Sequence, residues 1–156
     1  MKQHHYQTTL QWTGNTGSGT FNYQTYRRDH EIVGADKAHP ILGTSDPAFR
    51  GDGTRYNPEE LLVASLSACH MLWYLHLCAT NDVIVTEYTD AAAGKMEETA
   101  DGSGKFTEVT LYPKVKVAKA EMIDRANELH RKANQMCFIA NSCNFTVRHQ
   151  PETTVD

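Results

Sequence analysis

Two stretches of the chain carry apolar residues at helical spacing. In NPEELLVASLSACHMLWYLHLC, Asn57 to Cys78, the residues Leu62, Leu66, Cys69, Trp73 and Leu77 recur every three or four positions. Asn57 is a good N-cap and Pro58 suits the first helical position. Glu59 and Glu60 sit where a helix dipole favours negative charge. Asn81-Asp82 closes the element. A second helix is predicted from about Lys119 to Met136, with Met122, Ala126, Leu129, Ala133 and Met136 as its apolar stripe.

The remainder reads as strands and turns. His5 to Trp12 alternates with Thr and Tyr, Gly14, Gly17 and Gly19 mark a turn, and Phe21, Tyr23 and Tyr26 resume an aromatic strand. Residues 34–56 form a long connection holding Pro40, Gly43, Pro47, Gly51 and Gly53, and connections of this length are often functional. Val83 to Thr89 is strand-like, Asp101-Gly102-Ser103-Gly104 is a turn, and Phe106 to Val117 is a second long strand. Together these predict an antiparallel hairpin. Asn144 to Arg148 is a last short strand. Two helices against antiparallel sheet define an α+β fold in a single domain, 1–156, and regular βαβ alternation is missing.

Composition is ordinary for a globular domain: 156 residues, 40% hydrophobic and 22% charged. A net charge of −4 gives no reason to expect nucleic acid or an anionic membrane as partner. Met1 to His5 leads into polar residues rather than an apolar signal core. The longest apolar stretch, Leu61 to Cys78, is interrupted by Ser65, Ser67, His70 and His76 and does not read as a membrane span. The expected compartment is the cytoplasm, where Cys69, Cys78, Cys137 and Cys143 would be free or redox-active rather than structural staples. None of them forms a Cys-x-x-Cys pair.

Cys69 is the first candidate for chemistry. A free cysteine on a helix is among the most buried residue types and can simply fill a core. As a nucleophile it would need positive charge to hold its thiolate. It lies some three turns into its helix, too far for the dipole to help. Arginines are the natural source: Arg50 and Arg55 in FRGDGTRYNPEE, and Arg27 and Arg28 earlier, with Glu59 and Glu60 as anchoring carboxylates one loop away. Cys137 ends the second helix, so two cysteines on two helices can meet where those helices pack. Cys78 and Cys143 read as structural. The eight histidines suggest no metal site, since His70 and His76 are six apart rather than four. A serine hydrolase lacks its Gly-x-Ser-x-Gly elbow.

The segment from Asn57 to Cys69 resembles the first-cysteine helix of the OsmC/Ohr family of thiol peroxidases. Ala133-Asn-Gln-Met-Cys137-Phe-Ile-Ala-Asn141-Ser142 resembles that family's second-cysteine segment, and the element order is similar over nearly the whole chain. The resemblance implies an intertwined homodimer in which antiparallel sheets flank two central helices, with active sites at the subunit interface. It implies that Cys69 is the peroxidatic thiol, Cys137 the resolving thiol, and Glu59 the carboxylate that anchors a catalytic arginine. Phe49-Arg50-Gly51 resembles the arginine loop of the OsmC branch, which favours Arg50. The Ohr branch carries its arginine earlier, which keeps Arg27 and Arg28 as alternatives. Two residues depart from the family: Phe138 stands where proline is usual, and His70 where phenylalanine is common. The implied activity is reduction of organic hydroperoxides, with hydrogen peroxide a further substrate, through a sulfenic acid at Cys69 and a disulfide to Cys137. An external dithiol, such as a lipoylated protein or a small thiol, would regenerate the enzyme. No metal, flavin or haem cofactor is required. The alternative is a non-catalytic binding or scaffold dimer with inert, buried cysteines.

Overall fold

The computed structural model describes residues 1–155. The chain divides into two compact units, residues 1–61 and the residues from 62 on.

The first unit holds a small antiparallel sheet, β1 (Thr9–Trp12), β2 (His30–Val33) and β3 (Ile41–Gly43), in the order β1-β2-β3. Leu10 faces Ile32 and Ile32 faces Ile41 across it. Between β1 and β2 the chain makes a long excursion rather than the aromatic strand predicted around Phe21. Its base is pinned by Arg27 N–H donating to Gly14 O at 2.9 Å and by Trp12 Nε1–H donating to Arg27 O at 2.8 Å. A β-carbon at Gly14 would lie 1.8 Å from Arg27 O, so only glycine permits this approach. Tyr23 and Tyr26 do not extend a strand because their rings serve Arg28, whose guanidinium stands 4.2 and 4.1 Å from the two ring centres. The predicted connection over 34–56 contains β3 and a short 3-10 turn at Pro47–Phe49.

Helix α1 (Pro58–Ala79) starts in the first unit and continues through the second. Asn57 Oδ1 accepts the Glu60 N–H at 2.8 Å, and Glu60 Oε2 accepts the Asn57 N–H at 3.1 Å. This reciprocal pair satisfies two of the amides that a helix start leaves free. The helix stops where Asp82 turns left-handed at φ 58°, with Val83 N–H closing onto Cys78 O. Its fully buried residues are Leu66, His70, Tyr74 and Cys78. The predicted stripe shares only Leu66 with this set; Leu62, Cys69, Trp73 and Leu77 are half-buried. The buried line is turned by about one residue, because a histidine and a tyrosine occupy the core face.

The second unit contains β4 (Val85–Asp90), β5 (Ala93–Glu98), β6 (Gly104–Leu111), β7 (Pro113–Val117), α2 (Ile123–Met136), β8 (Thr146–His149) and β9 (Glu152–Val155). They form two sheets, β4-β7-β9 and β5-β6-β8. The long strand expected over Phe106 to Val117 is two strands in different sheets. Tyr112 separates them, its N–H held by Asp90 Oδ1 at 2.7 Å, and Pro113 opens β7. The expectation of purely antiparallel sheet is corrected here as well: β4·β7 and β5·β6 are antiparallel, whereas β8 joins β6 and β9 joins β7 in parallel. Parallel pairing requires a crossover, and α2 supplies it.

Helix α1 bridges the two sheets through its two halves. Leu66 packs with Val109 and Leu111 against β6, supported by Leu62, Val63, Phe106 and Phe145. Tyr74 and Cys78 pack with Val115, Val117, Ala126, Leu129 and Ala133, joining β7 to α2. The α2 stripe thus has Ala126, Leu129 and Ala133 buried as predicted, with His130 added to it. Each fully buried leucine or valine contributes about 1.5–3 kcal/mol to this core. By length and composition α1 would also suffice to cross a bilayer.

Candidate active site: two thiols and a histidine stack

Cys69 projects half-buried from the middle of α1, and Cys137 is the C-terminal cap of α2, fully buried. The two side chains are neighbours, close enough for Cys69 to act on the Cys137 thiol. Both are free thiols. The proximity arises because α2 ends at Cys137 in an extended conformation and the chain turns back at once. Asn141 N–H donates to Cys137 O at 3.0 Å, and Ala140 N–H points at Cys137 Sγ at 3.4 Å. Ser142 Oγ–H closes the turn onto Phe138 O at 2.8 Å. Phe138, in place of proline, projects outward, 64% exposed, and meets Trp73 of α1 edge-on at 5.5 Å. The aromatic pair stands one helical turn from Cys69 on α1 and one residue from Cys137.

Burial pushes the Cys137 thiol up to about 11, and the neighbouring Cys69 adds to the rise, against the opposing hydrogen bond from Ala140. Cys137 is therefore protonated at neutral pH. Cys78 is buried beside Tyr74 in the core, its thiol also raised by burial, and Cys143 packs beside Leu66.

Sequence reasoning missed the group next to the thiols. His70, His130 and His149 come together from α1, α2 and β8. His70 Nε2 and His130 Nδ1 share a hydrogen bond of 3.0 Å, with both residues almost wholly buried. Their rings are parallel within 6°, and the Tyr74 ring stacks on His130 at 3.8 Å. Burial lowers the pKa of His70 to about 4 and that of His130 to about 3, with His149 and the partner imidazole adding to the effect. The signal was present: 66, 70, 74 and 78 run at intervals of four, and 126, 129, 130 and 133 follow the helical period. Among the described residues no group of three or more His, Cys, Asp or Glu side chains converges as metal ligands would.

The predicted arginine and carboxylate lie in the first unit. Arg50 is exposed, in the left-handed conformation at φ 68° after the 3-10 turn, and its guanidinium reaches Gln24 O at 3.4 Å. Glu59 is half-buried in the first turn of α1, and among the described residues it makes no ion pair with Arg50. Arg28 is committed elsewhere, donating to Tyr26 O at 2.6 Å and Tyr23 O at 2.8 Å between the two tyrosine rings. Arg27 pairs with the buried Asp29 at 3.4 Å.

A family model for OsmC-like proteins matches residues 51–152. An OsmC-like protein of unknown function from Vibrio cholerae has a similar structure, with a TM-score of 0.85 and 28% identity over 96% of this chain and 100% of that one. An organic hydroperoxide resistance protein from Elizabethkingia anophelis superimposes with a TM-score of 0.67 at 18% identity, covering 99% of this chain and 100% of its own. Another, from Legionella pneumophila, gives 0.64 at 16% identity, covering 98% and 100%. At these identities the last two show the fold. No curated protein matches the chain.

Proposed function

This chain belongs to the OsmC-like family, and from that premise we propose that it is a thiol-dependent peroxidase acting on organic hydroperoxides, with Cys69 peroxidatic and Cys137 resolving. The observation that supports this reading is the proximity of two free thiols from two different helices, one half-exposed and one buried. In the first step Cys69 sulfur attacks the distal peroxide oxygen. An S–O bond forms, the O–O bond breaks, and the alcohol leaves with a proton. In the second, Cys137 attacks the sulfenic sulfur. The S–S bond forms and water departs, carrying the Cys137 proton. A dithiol then returns two electrons by exchange. The raised pKa of Cys137 keeps that thiol protonated and so a poor nucleophile, which leaves the first attack on the peroxide to Cys69. Trp73 and Phe138 provide an apolar approach that favours an organic peroxide over hydrogen peroxide.

Arg50 is the proposed guanidinium for the thiolate and the peroxide, with Glu59 its anchor, on the likeness of Phe49-Arg50-Gly51 to the family's arginine loop; Arg27 and Arg28 are held by other partners. The active assembly is a homodimer. A helix apolar on all sides is normally buried, whereas α1 leaves Leu72 63% exposed. A second copy supplies the missing cover.

Mass spectrometry of the reduced protein after one equivalent of cumene hydroperoxide tests the reading. A loss of two hydrogens, mapped by digestion to a Cys69–Cys137 linkage, is expected. An unchanged mass assigns the protein to the scaffold class instead.

A further inference from the structure

We propose that His70 and His130 are positioning residues for the thiol pair: the hydrogen bond between them sets α1 against α2 at the separation that lets Cys69 and Cys137 form their disulfide. The inference deepens the two-thiol reading and rests on it.

The geometry begins with sequence position. His70 follows Cys69 directly on α1. His130 precedes Cys137 by seven residues, two turns of α2, so the two lie on the same face of that helix about 10 Å apart along the axis. Each helix therefore offers one thiol and one imidazole to the other. The result is one polar contact, the 3.0 Å N–H···N bond, with the two thiols as neighbours beside it. Arg125 Nη2 donating to Asn81 Oδ1 at 2.6 Å ties the far end, just beyond α1.

The apolar contacts of α2 do not fix a sliding register well. Two of its three buried apolar residues are Ala126 and Ala133, which present a low surface without large knobs. A directional bond between buried rings does fix it. The His130 ring is clamped by Tyr74 at 3.8 Å, and His149 approaches both imidazoles at 5.6 and 6.4 Å. The arrangement costs stability, since among the described residues His70 Nδ1 and His130 Nε2 are buried without hydrogen-bond partners. Two apolar side chains of similar size would avoid that cost and would lose the directional bond.

The consequence concerns the equilibrium between dithiol and disulfide. Thiols already held as neighbours lose little further freedom when the S–S bond forms, so their effective concentration is high. Releasing the strut lets α1 and α2 shift, and disulfide formation becomes less favourable. In a dithiothreitol buffer the reaction is balanced: protein dithiol plus cyclic dithiothreitol disulfide gives protein disulfide plus reduced dithiothreitol, with two electrons and two protons passing to the reagent.

The test is the equilibrium constant of that exchange for the full chain, read by acid-quenched alkylation at pH 7, with thermal stability measured in parallel. His130→Leu removes the bond and is expected to lower the constant about tenfold, the size of a typical coupling between contacting residues. The double variant His70→Gln, His130→Asn places amide groups near the positions of Nε2 and Nδ1. It is expected to return the constant to within about threefold of wild type even if melting is lowered. A purely structural role would move the melting temperature and leave the constant alone. If His130→Leu does not fold, His130→Gln replaces it, since its amide favours the Nε2 side and forfeits the bond. A folded strut variant with an unchanged constant overturns the inference and leaves the two-thiol reading standing. Failure of the wild-type protein to form any Cys69–Cys137 disulfide in the buffer overturns both.

Discussion

The Cys137 thiol, buried at the end of α2, neighbours Cys69 in the middle of α1 while both remain reduced. That asymmetry between a half-exposed and a buried sulfur predicts different phenotypes for their loss. Cys69→Ser should abolish peroxide consumption. Cys137→Ser should consume about one equivalent of organic peroxide per chain and then stop, leaving a sulfenic acid that dimedone traps at Cys69. Quantifying peroxide loss against enzyme concentration separates the two. Full multiple-turnover activity in Cys69→Ser would sink the assignment.

Arg50 and Arg28 make opposite predictions. Arg28 is wedged between Tyr23 and Tyr26 and bonded to two carbonyls, so Arg28→Ala should lower stability by about 1–2 kcal/mol with little change in turnover of the folded fraction. Arg50 is exposed with one long hydrogen bond, so Arg50→Ala should leave the urea midpoint nearly unchanged. Its effect should fall on kcat/KM for cumene hydroperoxide, by roughly a hundredfold or more if the guanidinium holds the peroxide in the transition state. The reverse pattern would move the catalytic role to Arg28.

The two helices were legible because each announces itself locally. Asn57, Pro58 and Glu60 make the start of α1 readable from adjacent letters, and the α2 stripe keeps its period through Ala126, Leu129 and Ala133. That Cys69 and Cys137 lie near each other was legible from their places on two packing helices, although periodicity alone left Cys69 as a core candidate. The sheets were less so. Nothing in Phe106 to Val117 apart from Pro113 marks a passage between sheets, because the break at Tyr112 is made by Asp90, more than twenty residues away. The parallel pairings of β8 and β9 depend on where α2 returns the chain, a tertiary fact. The histidine stack escaped because a polar residue on an apolar stripe is normally assigned to the outer face, and only its partner on the other helix makes burial tolerable.

The cap of α1 gives a stability test independent of the chemistry. Asn57→Ala removes the acceptor of the Glu60 N–H and should cost about 1 kcal/mol in urea unfolding. Glu60→Ala, which leaves Asn57 N–H without its carboxylate, should cost less. Because Glu59 takes no part in the box, Glu59→Gln should leave stability within about 0.5 kcal/mol of wild type and show its effect in activity. A stability loss in Glu59→Gln equal to that of Asn57→Ala would place Glu59 in the scaffold and leave Arg50 without its anchor.

The buried imidazoles make stability depend on pH in a defined window. In the unfolded chain a histidine titrates near 6.5. In the folded protein His70 is held down to about 4 and His130 to about 3, chiefly by burial. Below pH 6.5 the unfolded state therefore binds more protons than the folded one. The stability associated with the neutral pair is fully present above that pH and is lost as pH falls towards 4, by about 1.4 kcal/mol per pH unit for each histidine. His149, lowered in the same sense by burial, adds to the slope. The loss attributable to His70 levels off below about pH 4 and that of His130 below about pH 3. Urea midpoints measured at pH 7.5, 6, 5 and 4.5 should show this decline in the wild type. The His70→Gln, His130→Asn variant should flatten it, because its amides do not titrate. An identical slope in both proteins would mean that other groups govern the acid response and that the histidine pair is not held neutral by its burial.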